Sequence, residues 1–153
     1  HAVFIALGTT IKVAGSQEAF RALDHDAVLA VAHAARAAGA RRLGLVSAMG
    51  ADTGSRVFYS QVKGEVEQAI AQIGFETLVI ARPSLLVGDR GPLGQPTRRG
   101  EVIGEAVSRW LRPLIPANYR AIRARDVAHA LVATVARGAP GRSLLLSGQM
   151  QRT

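Results

Sequence analysis

RLGLVSAMGADTGSRVFYSQVKGEVEQAIAQIGFETLVIARP, running from Arg42 to Pro83, is the stretch whose reading decides the fold. It opens with Arg42 to Ser47, a short apolar run of the kind a strand shows when both faces of a parallel sheet are covered. Ala48 to Val57 carries Gly50 and Gly54 and reads as a loop. From Phe58 to Ile73 the apolar residues return at helical spacing, at Val62, Val66, Ala69, Ile70 and Ile73, and Gly74 supplies a stop. Thr77 to Ala81 is another apolar run. Arg82-Pro83 closes it, because proline lacks a donor and restricts the residue before it. Strand, helix and strand in this order specify a parallel pair with a helix over it.

The same alternation continues outward. Ala2 to Leu7 is an apolar run ended by Gly8-Thr9-Thr10, and it is expected to be a further buried strand. Lys12 to Leu23 reads as loop with a short helical turn. A helix is expected from Asp24, with Asp24 or Asp26 capping its free N–H groups and Val28, Leu29, Val31, Ala32 and Ala35 forming its apolar stripe; Gly39 ends it. Beyond Pro83 come a polar loop from Gly88 to Gly100, a helix from Glu101 to Leu111, a short strand at Ala121 to Ala124, a helix from Asp126 to Arg137 and a strand at Ser143 to Leu146. The expectation is an α/β, doubly wound parallel sheet forming one domain over residues 1–153.

Composition narrows the classes of function. With 48% hydrophobic residues the chain can bury one core, and the absence of cysteine removes disulfides and thiolate metal sites. No stretch approaches the roughly 18 apolar residues that cross a bilayer, and no signal-peptide pattern opens the chain. A cytoplasmic protein with no membrane partner is therefore expected. The net charge is +8, and only Lys12 and Lys63 among the 19 basic residues are lysines. The densest basic region, Arg98 to Arg125, also holds Glu101 and Glu105, and Trp110 and Tyr119 are its only aromatics. A nucleic-acid groove more often interleaves stacking rings with its charges, so an arginine-biased solvated surface is the better reading and nucleic acid is not the expected partner. His1, His25, His33 and His129 lack metal-ligand spacing, so no metal is expected.

Chemistry concentrates in Tyr59-Ser60-Gln61-Val62-Lys63. Residues four apart share a helix face, so the phenol and the ammonium are neighbours. A free tyrosine has a pKa of about 10, and a fixed positive charge is expected to lower it toward the working range. Ser47 closes a strand, and Tyr59 opens the helix after the next loop. In open parallel sheets ligands bind beyond the carboxyl ends of the strands, so a hydroxyl and a phenol should converge there on one carbonyl oxygen.

These residues resemble the Ser…Tyr-x-x-x-Lys set of the short-chain dehydrogenase/reductase superfamily. LGTT at Leu7 to Thr10, LVSAMGAD at Leu45 to Asp52, FYSQVKGEVE at Phe58 to Glu67 and RPSLLVGDR at Arg82 to Arg90 look like its atypical, NmrA-like group, which includes the Tat-interacting-protein-type oxidoreductases. The resemblance implies a Rossmann-type fold that binds NADP or NAD, with NADP the slightly favoured form, and acts on a small carbonyl or alcohol. It implies that Ser47, Tyr59 and Lys63 are catalytic. Gly8, Thr9 and Thr10 would line the dinucleotide with Tyr59 and Lys63, and Pro83, Ser84 and Leu86 would flank the nicotinamide. Ser84 stands where a glycine is common.

One departure is an absence. The superfamily begins with a strand, a glycine-rich phosphate-binding turn and a helix, and no such turn occurs in this sequence. Two strand–helix units of about 30 residues each would supply it, so the chain is expected to be the carboxyl-terminal part of the domain, with residues preceding His1. The competing reading is a module that senses the dinucleotide without consuming it, since fold does not fix function. The sequence leaves a homo-oligomer open.

Overall fold

The computed structural model describes residues 1–87 and 116–151. The loop expected over Gly88 to Gly100 and the helix expected over Glu101 to Leu111 lie outside them, as does Trp110.

Four parallel strands form the main sheet: β1 (Ala2–Ile5), β2 (Arg42–Val46), β3 (Thr77–Arg82) and β6 (Gly141–Leu146), side by side in that order. The register sets Phe4 beside Gly44, Leu45 beside Ile80, and Ala81 beside Leu145. A second, two-stranded parallel ribbon joins β4 (Leu86–Val87) to β5 (Ile122–Arg123). The strand expected near Ala121 thus forms, but it pairs outside the main sheet.

Both faces of the sheet are covered, as a parallel sheet requires. On one face Ile5, Leu43, Leu45, Leu78 and Ile80 pack against Val28 and Ala32 of α3 (Val28–Ala37) and against Val66 and Ile70 of α4 (Phe58–Ala71). On the other face Val79 and Ala81 meet Val127, Leu131 and Val135 of α5 (Ala124–Arg137), with Ile122 and Met150. Burying each of the valine, leucine, isoleucine and methionine side chains among them contributes roughly 1.5–3 kcal/mol. This is a doubly wound α/β arrangement. Gly44 lets the sheet and α5 close up, because a Cβ there would stand 2.8 Å from the Phe4 ring and 3.1 Å from Leu131.

The amino-terminal helical region departs from expectation. The helix begins well before Asp24, with α1 (Ile11–Ala14), a left-handed Gly15 at φ +89°, and α2 (Gln17–Arg21), which Ser16 caps by accepting the Ala19 N–H at 3.0 Å. From α2 the backbone stays helical through a π-helical turn at Ala22–Ala27 into α3. Asp24 therefore lies inside a continuous helix and caps nothing. A pair of acids ahead of an apolar stripe looks the same in sequence whether it starts a helix or bulges one.

Candidate active site at the carboxyl edge of the sheet

The carboxyl ends of the sheet's strands share one edge, and the segments leaving β1, β2 and β3 build the site there. The backbone leaving β1 passes through Gly8 and Thr9. The Thr9 N–H donates to Oδ2 of Asp24 at 2.8 Å, and Thr10 caps α1 through its hydroxyl, which accepts the Val13 N–H at 3.2 Å. Gly8 lies against an ion pair: a Cβ at this position would stand 3.3 Å from Oδ1 of Asp24 and 3.6 Å from Nζ of Lys63.

That ion pair is the electrostatic centre of the site. Lys63 Nζ meets Asp24 Oδ1 at 2.6 Å, with 7% of the lysine side chain and none of the aspartate side chain exposed. Lys63 also lies 5.8 Å from the centroid of the Tyr59 ring, within reach of a cation–π attraction. Phe20 of α2, fully buried, packs its ring 5.5 Å from that of Tyr59 and 5.8 Å from that of Phe58. The phenol is thus gripped from α2 and approached by an ammonium from one turn further along its own helix.

The expectation that Lys63 lowers the pKa of Tyr59 toward neutrality is corrected. The Tyr59 phenol is pushed up from its ordinary value, first by burial and then by the negative charge of Asp24. Spacing alone paired the phenol with a cation. It could not show that the cation arrives already paired.

Ser47 follows β2, held by its N–H to the Ala81 carbonyl at 2.8 Å, and the next turn is tied to the end of β3 by Met49 N–H to the Pro83 carbonyl at 3.0 Å. Its hydroxyl is buried and has no hydrogen-bond partner among the described residues. The loop after it folds back onto α4, where the Asp52 N–H donates to the Ser60 carbonyl at 3.0 Å. Gly64 permits that approach, since a Cβ there would fall 2.4 Å from the Thr53 nitrogen and 2.5 Å from the Asp52 carbonyl carbon. Ser47 begins the loop and Tyr59 follows it, so both lie at the same edge as Gly8, Thr9, Lys63 and Pro83.

Ser84 and Leu86 are placed differently. The Ser84 hydroxyl donates to the Arg120 carbonyl and meets the Ser147 hydroxyl at 2.9 Å, so it ties the segment after β3 to α6 (Ser147–Met150). Leu86 sits in β4, paired with Ile122 and partly exposed. Asp24 and Phe20 are the residues that sequence reasoning missed at this site. Phe20 carried no local signal, and Asp24 carried a misleading one. Among the described residues no cluster of histidine, cysteine and carboxylates could hold a metal, and no helix is long and apolar enough to cross a membrane.

The fold is that of the Rossmann-type nucleotide-binding proteins, and comparisons with solved structures agree. Matches include UDP-glucose 4-epimerase from Thermotoga maritima, solved with UDP-glucose (TM-score 0.65, 16% identity, 96% of this chain and 55% of that one), and RMD from Pseudomonas aeruginosa complexed with NADPH (TM-score 0.66, 18% identity, 97% and 60%). In sequence the chain is homologous to the FMP52 and HTATIP2 proteins. It is 48% identical over 89 residues to the mitochondrial protein fmp52 of Emericella nidulans, covering 58% of this chain and 38% of that protein. With HTATIP2 of Rattus norvegicus it shares 42% over 98 residues, 64% of this chain and 38% of that one. The chain thus spans well under half the length of these relatives. No family model matches it. The cytoplasmic expectation does not stand: the fungal relatives, that of Candida albicans included, are mitochondrial proteins by name.

Proposed function

We propose that this chain is the carboxyl-terminal part of an NAD(P)-dependent oxidoreductase of the short-chain dehydrogenase/reductase type, in its atypical, NmrA-like group. It would transfer hydride between nicotinamide and a small carbonyl or alcohol. One observation carries the reading: a buried Ser47 hydroxyl, without a partner among the described residues, at the sheet edge where the Lys63 ammonium lies beside the Tyr59 ring. A buried hydroxyl without a partner is costly, and a substrate carbonyl oxygen would satisfy it.

The residues present fit the nicotinamide–ribose half of such a cofactor. Lys63 has three N–H donors and is held in an ion pair by Asp24, which leaves donors for ribose hydroxyls. Gly8 presents bare backbone beside it, and Thr9, Thr10 and Pro83 stand along the same edge. When bound, the dinucleotide supplies or accepts the hydride. The protein orients the substrate oxygen through Ser47 and moves a proton at Tyr59 Oη. By the resemblance alone Ser84 and Leu86 would flank the nicotinamide from the segment after β3, with the Ser84 hydroxyl engaged by Arg120 and Ser147 rather than by the ring. NADP is slightly favoured over NAD, and the similarly folded protein solved with NADPH does not decide between the two.

Replacing Tyr59 by Phe in the full-length protein should abolish carbonyl reduction while leaving the dissociation constants for NADPH and NADH within a few-fold. Unchanged turnover removes Tyr59 from the chemistry. Thermal stabilisation by either dinucleotide, with no turnover of any carbonyl by the unaltered protein, would make the site a sensor instead.

A further inference from the structure

Asp24 has no part in the triad reading, yet it is the most deeply buried charged group at the site. Taking a carboxylate out of water costs several kcal/mol, and an apolar side chain of similar size often serves stability as well or better. Stability alone is therefore a poor reason for an aspartate here. Its setting is specific. The π-helical turn over Ala22–Ala27 carries it, and such turns occur often at functional sites. Its two oxygens are divided between two components of the proposed site. Oδ1 takes the Lys63 ammonium at 2.6 Å, and Oδ2 takes the Thr9 N–H at 2.8 Å, on the backbone that leaves β1. Gly8 leaves the space in which the pair sits.

Other charged side chains on the neighbouring elements are Lys12 of α1, Glu18 of α2, and Asp52 and Arg56 of the loop before α4, and two further pairs are engaged with one another. Arg21 pairs with Glu65 at 2.6 Å, and His25 with Asp26 at 2.7 Å. Among the described residues, Asp24 and Lys63 are then the two charges that act most directly on Tyr59, one of each sign. Lys63 alone would draw the phenol toward phenolate, whereas burial of the ring together with the charge of Asp24 keeps the proton on.

Resting on the oxidoreductase reading above, we infer that Asp24 is a positioning residue that anchors and charge-balances Lys63 beside Tyr59, holding the phenol as a proton donor, so that the site is set to reduce carbonyls. In that direction Tyr59 Oη gives its proton to the substrate oxygen while the substrate carbon receives hydride from the reduced dinucleotide. The carbonyl becomes an alcohol, the dinucleotide is oxidised, and the phenolate regains a proton from water.

The test needs neither cofactor nor turnover. Tyrosinate absorbance is titrated on the full-length protein, and the difference between each variant and the same variant carrying Tyr59→Phe reports Tyr59 alone. Asp24→Asn is close in shape and removes the charge; it should let Tyr59 ionise about one pH unit lower, a tenfold change in its acid constant. An unmoved or higher midpoint overturns the inference. Lys63→Met asks the same question from the other side and serves if Asp24→Asn does not fold. It leaves the aspartate's charge unbalanced and should move the midpoint up, and an unmoved or downward midpoint overturns the inference equally. In the full-length protein, the pH at which carbonyl reduction is half lost should fall by the same unit in Asp24→Asn. If the tyrosinate shift is found but no carbonyl is turned over, the oxidoreductase reading fails and the role of Asp24 in setting the phenol's proton stands. If turnover is found without the shift, the reverse holds.

Discussion

Two buried carboxylates flank one stretch of α4, and they are used in opposite ways. Glu67, 1% exposed, is saturated by arginines: Arg82 grips it with two parallel bonds, Nε to Oε1 at 2.9 Å and Nη2 to Oε2 at 2.7 Å, and Arg142 adds a third at 3.1 Å. These partners come from β3 and β6, so one side chain ties helix to sheet across two strands. Asp24, one helical turn away at Lys63, is bonded to one ammonium and one backbone N–H beside a phenol. Planar, bidentate guanidinium pairing fixes geometry, whereas an ammonium beside a titratable ring sets a protonation state. The first carboxylate is a lock between layers and the second is a tuning element. They differ through their partners, not through burial.

The contrast breaks most visibly if the lock is removed. Glu67→Ala should cost about 3 kcal/mol of stability in denaturant unfolding, near the lower end for an opened buried pair because both arginines can reach water. A loss below about 1 kcal/mol would mean that the three bonds give no more than a surface bridge does. Gly64→Ala probes the span between the two carboxylates. The new Cβ would press on the Asp52 and Thr53 backbone, which cannot yield as a side-chain tip can, so about 2 kcal/mol should be lost. Because that loop also begins at Ser47, turnover in the full-length protein should fall further than Glu67→Ala makes it fall. Equal effects on turnover would show that the loop does not position Ser47.

How much of this was legible in sequence follows from the range of each interaction. β1, β2, β3 and α4 were readable because continuous apolar runs and helical periodicity are local signals. Lys63 and Tyr59 were readable as a pair because four residues on a helix set their spacing. The buried face of α4 was read too narrowly: it takes in Lys63, Gly64 and Glu67 as well as Val62, Val66 and Ile70, and the polar members are buried by partners distant in the chain. Asp24 was misread for the same reason, since a cap and a π-turn ligand differ only in what lies opposite. Ser84 was assigned to the nicotinamide by resemblance, and its bonds to Arg120 and Ser147 depend on an approach that no local pattern encodes.

The smallest expected effect is also the one that separates lock from tuner by pH. The Tyr59 phenol has its pKa raised above the ordinary value of about 10 by burial and by Asp24. The native state therefore holds that proton more tightly than the unfolded chain does. The stability this contributes is fully present below the unfolded value and is lost as pH rises through the folded one. Arg82 is also raised, chiefly by its hydrogen bonds to Glu67, but from a starting value so high that the lock does not titrate in the same window. Denaturant unfolding followed from pH 9 to 11 should then show the unaltered chain losing stability more steeply than Tyr59→Phe, by a few tenths of a kcal/mol to about 1 kcal/mol across the window. Glu67→Ala should be weaker throughout yet parallel to the unaltered chain. If Tyr59→Phe instead tracks the unaltered chain point for point, the phenol's proton does not distinguish folded from unfolded, and the division between a lock and a tuner loses its electrostatic basis.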